Sequence, residues 1–209
     1  MFSRFAAFQS LTIALFLTMA TTQAAMAEPK MVVDLFGQTA QFRPPPWVNS
    51  RDLDAKQAKD FETARQNGKS ANGTNFFLLE FIPKGESFSN WSQLYAITAE
   101  TPLSGTVEAY LDGQIRTYKK ACTKIGVQKL VKKRTNQVAV ILCEAYRHQP
   151  SKGEIAVFSY VKTDKTLIKH YHHTRSKAFK LSNRTSIPLS SREVLDIADR
   201  LGDLKLTGG

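Results

Sequence analysis

Gly126-Val-Gln-Lys-Leu-Val-Lys-Lys-Arg134, Gln137-Val-Ala-Val-Ile-Leu-Cys-Glu-Ala-Tyr146, Glu154-Ile-Ala-Val-Phe-Ser-Tyr-Val-Lys-Thr163 and Thr166-Leu-Ile-Lys-His-Tyr-His-His-Thr174 follow one another in the second half of the chain. Each run has the length and the β-branched, aromatic composition of a strand. The connections are Thr135-Asn136, Gln149-Pro-Ser-Lys-Gly153 and Thr163-Asp-Lys165. They are too short to hold a crossover helix, so neighbouring strands must pair antiparallel. This meander is the centre from which the rest of the fold is read.

Immediately upstream the period changes. From Ser104, the residues Val107, Tyr110, Leu111, Ile115, Tyr118 and Cys122 recur at three- and four-residue steps, which predicts an amphipathic helix of about four turns. Before it, Asn75–Ile82 is a strand bounded by Pro83-Lys-Gly85, and Trp91–Thr98 alternates at Trp91, Gln93, Tyr95 and Ile97 as another. Asn67–Gly73 is rich in turn residues and reads as a loop. Asp52–Gln66 is polar with Ala55, Ala58, Phe61 and Ala64 at three-residue spacing, and predicts a surface helix with a thin apolar stripe. Met31–Phe36 and Thr39–Phe42 read as two strands around Gly37-Gln38, and Pro44-Pro-Pro46 then stops regular structure. That proline run with Trp47 is a crossing segment or a polyproline recognition element. Downstream, Ser190 or Ser191 caps a last helix. Glu193 completes a capping box from Ser190, and Val194, Ile197, Ala198 and Leu201 form its buried stripe. Leu204 and Leu206 imply that the tail still packs.

Runs of antiparallel strands with segregated helices mean an α+β fold. The expectation is a single α+β domain over 28–209, built on an antiparallel sheet of about six strands with helices packed on it. This order, with Phe81-Ile-Pro-Lys-Gly-Glu-Ser87 leading into Asn90-Trp91, resembles PsbP-like secreted bacterial proteins of uncharacterised function. The resemblance implies a binding or assembly factor without a shared catalytic site, and no active-site residue carries over.

Residues 1–27 read as an address. Arg4 supplies a positive start, Leu11–Ala20 an apolar stretch, and Ala25-Met-Ala27 a small-x-small cleavage site. This is the pattern of a secretory signal peptide. The apolar stretch is shorter than the roughly 20 residues of a membrane span, and no later segment is long and apolar enough to make one. The mature chain is therefore expected in the periplasm or outside the cell. Its two cysteines, Cys122 and Cys143, then sit in an oxidising compartment and are expected to pair.

The chain of 209 residues has 29 Lys+Arg against 18 Asp+Glu, a net charge of +11, and 42% apolar residues. Such an apolar fraction excludes a disordered chain. Two cysteines exclude a disulfide-dense mini-protein and a four-cysteine zinc module. Arg4 is the one charged residue of the leader, so the base remains almost entirely in the mature chain. It is densest between Lys119 and Arg184. Lys129, Lys132, Lys133, Arg134, Lys162, Lys169 and Arg175 are the candidate basic sheet face, able to steer an anionic partner. Export favours an acidic protein or envelope component over nucleic acid as that partner.

Lys169-His-Tyr-His-His173 offers a second constellation. His170 and His172 share a strand face and are candidate metal ligands, with His148, Asp164 or Glu154 as a third. The same two histidines with Lys169 or Lys162 are an alternative acid–base cast for a small secreted hydrolase. Against both stands a polar, solvated sheet face with no chemistry. No Gly-x-Ser-x-Gly elbow or phosphate-binding loop is present. The reading that fits best is an exported, non-enzymatic binding protein without a cofactor, serving an envelope or secretion system or acting as a virulence-associated factor. Fractionation of an expressing culture should recover a chain starting at Glu28 from the periplasm or medium. A chain retaining Met1 in the cytoplasm would remove the export reading.

Overall fold

The computed structural model describes residues 30–48, 60–102, 105–132 and 135–208. The leader over 1–27 lies outside the described residues. The chain forms strands β1 (Met31–Leu35), β2 (Gln38–Phe42), β3 (Phe61–Lys69), β4 (Asn75–Pro83) and β5 (Gln93–Thr101), then helix α1 (Val107–Ala121). Strands β6 (Ile125–Lys132), β7 (Asn136–Cys143), β8 (Lys152–Lys162) and β9 (Leu167–Lys177) follow, then helix α2 (Ser191–Gly202) and strand β10 (Lys205–Thr207). The fold is α+β, with seven strands in one antiparallel sheet and three in another.

The large sheet has the order β3-β4-β5-β9-β8-β7-β6. The chain leaves β5 in mid-sheet, crosses one face as α1, enters the far edge at β6, and returns strand by strand until β9 pairs with β5. Loops between adjacent strands are short, so the expected meander of four strands forms with boundaries close to those read from the turns. A sheet of about six strands becomes seven because of β3.

That strand corrects the helix expected over Asp52–Gln66. Residues 52–59 lie outside the described residues, and Phe61–Lys69 is a nine-residue edge strand paired with β4 from Phe61↔Pro83 to Lys69↔Asn75. Polar side chains are tolerated on an edge that faces water on both sides. The pairing partner is apolar β4, and Phe61 packs edge-on against Phe81 with ring centroids 5.4 Å apart. Tertiary pairing outweighs a weak helical spacing.

Each sheet face has its own core. Val107, Leu111 and Tyr118 of α1 press onto Ala139, Ile141, Ala156 and Phe158. Thr106 caps the helix, its side chain accepting from the Ala109 amide, and Lys119 and Lys120 lie in the last turn, where cations favour the helix dipole. On the opposite face α2 and the small sheet β1-β2-β10 cover Val138, Val140, Ile155, Val157 and Ile168. Ser190 and Glu193 make the capping box expected of them. Leu206 lies in β10, which pairs with β2, so the tail is indeed part of the packing. The Phe36-Gly37 turn between β1 and β2 holds both residues at positive φ (59° and 83°), the backbone required for a two-residue hairpin of this twist.

Cys122 caps α1 and Cys143 ends β7, and the two form a disulfide with S–S 2.06 Å. The bridge ties the crossing helix to the strand beneath it. Gly153 at the start of β8 marks the tightest backbone approach nearby. A Cβ there would lie 2.8 Å from the Glu144 carbonyl oxygen, 2.9 Å from that of Cys143 and 2.9 Å from the Phe179 ring. Two of those neighbours are backbone and cannot yield. Gly153→Ala is expected to destabilise by about 2 kcal/mol, read as a lowered urea midpoint at unchanged slope. An unshifted midpoint would contradict this packing.

Candidate anion-binding end of the sheet

Strand β9 distributes its side chains alternately. His170, His172 and Thr174 go to the α2 side. Lys169, Tyr171, His173 and Arg175 go to the α1 side, as their pairing with Thr98, Ala96, Leu94 and β8 requires.

The two histidines singled out from the sequence do share a face, but the solvated surface expected as the plain alternative is absent. His170 is fully buried between Phe42 and Tyr95, with ring centroids at 5.2 and 4.8 Å, and its Nδ1 lies 3.2 Å from the Leu201 carbonyl. His172 is 2% exposed, with Nε2 3.2 Å from the Gln93 side-chain oxygen and Trp47 5.6 Å away. Burial pushes both imidazoles down to about 3, because a charge there would lose its hydration. His172 is pushed further by the neighbouring His173, Arg200 and His170. Among the described residues no group of three His, Cys, Asp or Glu stands together as a metal cage. Glu154 lies on the other face of the sheet, and His148 and Asp164 lie in exposed loops. Lys169 and Lys162 also face α1, so the sheet separates them from His170 and His172.

The third histidine, not selected from the sequence, has the carboxylate. Glu154 is 2% exposed beneath α1. It accepts a hydrogen bond from the Tyr118 hydroxyl, lies 3.3 Å from His173 Nδ1 and sits 3.9 Å from Arg175 Nε. Burial and the Glu154 charge push the Tyr118 hydroxyl well up. Burial pushes His173 down, with Glu154 opposing. Arg175 holds its guanidinium carbon over Trp91, 3.6 Å from the ring centroid, a cation–π contact.

The candidate basic residues Lys129, Lys162, Lys169 and Arg175 all stand on the α1 side, and each has a local partner. Lys129 lies 3.7 Å from Glu108 and 3.8 Å from Asp112. Lys162 donates to the Gly105 carbonyl at 3.2 Å. Lys169 covers the Tyr171 ring at 4.6 Å, and burial lowers its pKa against the pull of Glu100 and Glu80. Lys132 is paired with Gln137 at the end of β6, while Lys133 and Arg134 lie outside the described residues.

A different set of cations is gathered at one end of the sheet. The Arg147 amide donates to the Ala121 carbonyl at 2.8 Å and its Nε to the Lys120 carbonyl at 3.1 Å. The Tyr146 amide donates to the Lys152 carbonyl at 2.9 Å, and the Ala178 amide to the Ser151 carbonyl at 2.9 Å. These bonds draw together the end of α1, the β7–β8 connection and the end of β9. Exposed Lys119, Lys120 and Lys124 come from the first segment, Arg147 and Lys152 from the second, and Lys177 and Lys180 from the third. The acids nearby face inward or are engaged. Glu144 is 6% exposed and accepts from the Leu181 amide at 2.6 Å, Glu154 is buried, and Glu86 accepts from both the amide and hydroxyl of Ser92. Trp91, Ser151, Lys152, Arg175, Ser176 and Lys177 line a cleft of about 370 Å³ there. Another cleft, about 560 Å³ between β6–β7 and α2, is walled mostly by aliphatic side chains with Arg184 as the charged group in its lining.

Sequence density pointed to Lys119–Arg184 as a block. It did not show which cations meet at this end, because that depends on the turn between β7 and β8 folding back onto α1. No protein-family model, curated protein or solved structure matches the chain.

The buried histidines set a pH dependence of stability. Their folded pKa lies below the ordinary value of about 6.5, so they stay neutral while the unfolded chain takes up protons. Stability is therefore retained above pH 6.5 and lost as pH falls from there towards 3, by at most about 1.4 kcal/mol per pH unit for each histidine. The urea midpoint should drop over that window, and His170→Gln with His172→Gln should flatten the slope. An unchanged slope in the double variant would show that other groups carry it.

Proposed function

We propose that the chain is an exported, non-enzymatic binding protein that captures an anionic partner, an acidic protein or envelope component, on the basic end of its large sheet. The observation that carries this is the register pair Lys152↔Lys177. Like charges directly opposite one another weaken a strand pair, and Arg175 adds a third cation to the same cleft. An anion seated between them offsets that repulsion, whereas a purely structural role favours a neutral or opposite-charge pair.

Among the described residues no helix is long and apolar enough to cross a membrane. Three further features support the reading. The Cys122–Cys143 bridge suits an oxidising compartment. The strand histidines are packed as core groups, which draws support away from the hydrolase alternative. The PsbP-like resemblance leads to the same class of function.

Two variants of equal net charge test it. Lys152→Glu with Lys177→Glu reverses the cleft. Lys69→Glu with Lys165→Glu reverses two exposed lysines at the opposite end, beside the β3–β4 and β8–β9 turns. On immobilised heparin the first pair should elute at markedly lower salt than the second. Equal elution would mean that only total charge is being read.

A further inference from the structure

We propose that the anion met by this end is the headgroup layer of an acidic phospholipid membrane, on which the protein lies peripherally. The inference rests on the anionic-partner reading above and narrows it. The chemistry of the patch selects among anionic partners. Its exposed cations are mostly lysines, Lys119, Lys120, Lys124, Lys152, Lys177 and Lys180 with Arg147. Lysine is depleted at protein–protein interfaces, where aromatic residues and arginine make the desolvated centre. Flexible lysines held near a surface are what an anionic leaflet rewards.

Phe88 is the second observation. It is 37% exposed in the β4–β5 connection, which reaches the same end because the Arg175 amide donates to the Ser92 carbonyl at 2.8 Å. An exposed aromatic side chain at the same end of the sheet as the lysines matches the chemistry of interfacial docking, in which apolar burial adds to electrostatic attraction. A single-stranded nucleic acid would need successive open aromatic rings for base stacking, and Phe88 is a single ring. Trp91 is 8% exposed, and Arg175 already covers its ring.

The opposite face favours one orientation. Exposed Glu193, Asp196 and Asp199 lie on α2, across the sheet from α1. An anionic layer repels them, so the molecule approaches with the α1 side of its basic end tilted towards the lipid.

The test is flotation of the purified chain with vesicles of phosphatidylcholine alone or mixed with phosphatidylglycerol. The exported chain beginning at Glu28 is used, because the apolar Leu11–Ala20 stretch would itself partition into vesicles of either composition. Binding should require phosphatidylglycerol and be released by 0.5 M salt, where the Debye length has fallen to about 4 Å. Each lysine near the surface contributes about fivefold in partitioning, so Lys152→Gln with Lys177→Gln should weaken binding about twenty-five-fold. Phe88→Ser should weaken it severalfold at unchanged salt dependence. Binding to phosphatidylcholine equal to that with phosphatidylglycerol, or indifference to the lysine pair, would overturn the proposal. Heparin retention that depends on Lys152 and Lys177 without vesicle binding would overturn the lipid assignment and leave the anionic-partner reading intact. Loss of both would remove both. Because salt release is measured on the unaltered chain, the test does not depend on the variants folding.

Discussion

Strand β9 is paired on both edges, with β5 on one side and β8 on the other, and its side chains must alternate between two separate cores. Most of the chemistry of this protein follows from that constraint. Three histidines within four residues cannot act together, because the pleat sends His170 and His172 to one side and His173 to the other. The same alternation brings Lys169 and Arg175 to the α1 side, where each meets an aromatic ring. A shift of one residue in register would exchange the two sets and put Arg175 and Lys169 into the aliphatic core under α2.

Glu154 is the second fixed point. A carboxylate with 2% exposure is costly unless its oxygens are satisfied. Tyr118 of α1, His173 and Arg175 of β9 supply that satisfaction from two different elements. The Tyr118–Glu154 bond thereby fixes α1 over the sheet from below, while the Cys122–Cys143 bridge fixes it at its last turn. A loop of 21 residues closed by a disulfide removes about 3 kcal/mol of unfolded-state freedom. With the helix end held twice, the β7–β8 connection has a defined surface to fold onto, and its cations acquire fixed neighbours.

The fold was legible where the sequence carried local signals. Four apolar runs with short turns could only be an antiparallel meander, the 3.6-residue stripe marked α1, and the Ser190–Glu193 pair marked the start of α2. The edge strand β3 was not legible, since Glu62-Thr-Ala-Arg-Gln-Asn-Gly-Lys69 has neither alternation nor β-branched density. It is a strand because β4 offers it a ladder. The site was legible only as charge density. Lys129, Lys162 and Lys169 were marked by that density, yet Lys129 and Lys162 are engaged by groups from far along the chain and Lys169 lies over the ring of Tyr171 on its own strand. Arg147 and Lys152 carry little sequence signal, but the backbone bonds from Arg147 to Ala121 and from Ala178 to Ser151 bring them to the same end as the last turn of α1 and the end of β9.

Burial and charge thus explain why the positive surface lies where it does. Carboxylates near the end of α1 are turned inward, where Glu144 holds the Leu181 amide and Glu154 holds Tyr118. Lysines cannot follow them inside, because a buried ammonium without a partner is far more costly than one in water. The sorting that satisfies the interior therefore leaves the exterior of this end with cations only partly compensated. A field of that kind is focused where several like charges line a cleft with low-dielectric walls, and it acts over roughly a Debye length. The cleft beside Trp91 lies within that field, so an anion drawn to the end meets Lys152, Arg175 and Lys177 without any rearrangement of the sheet.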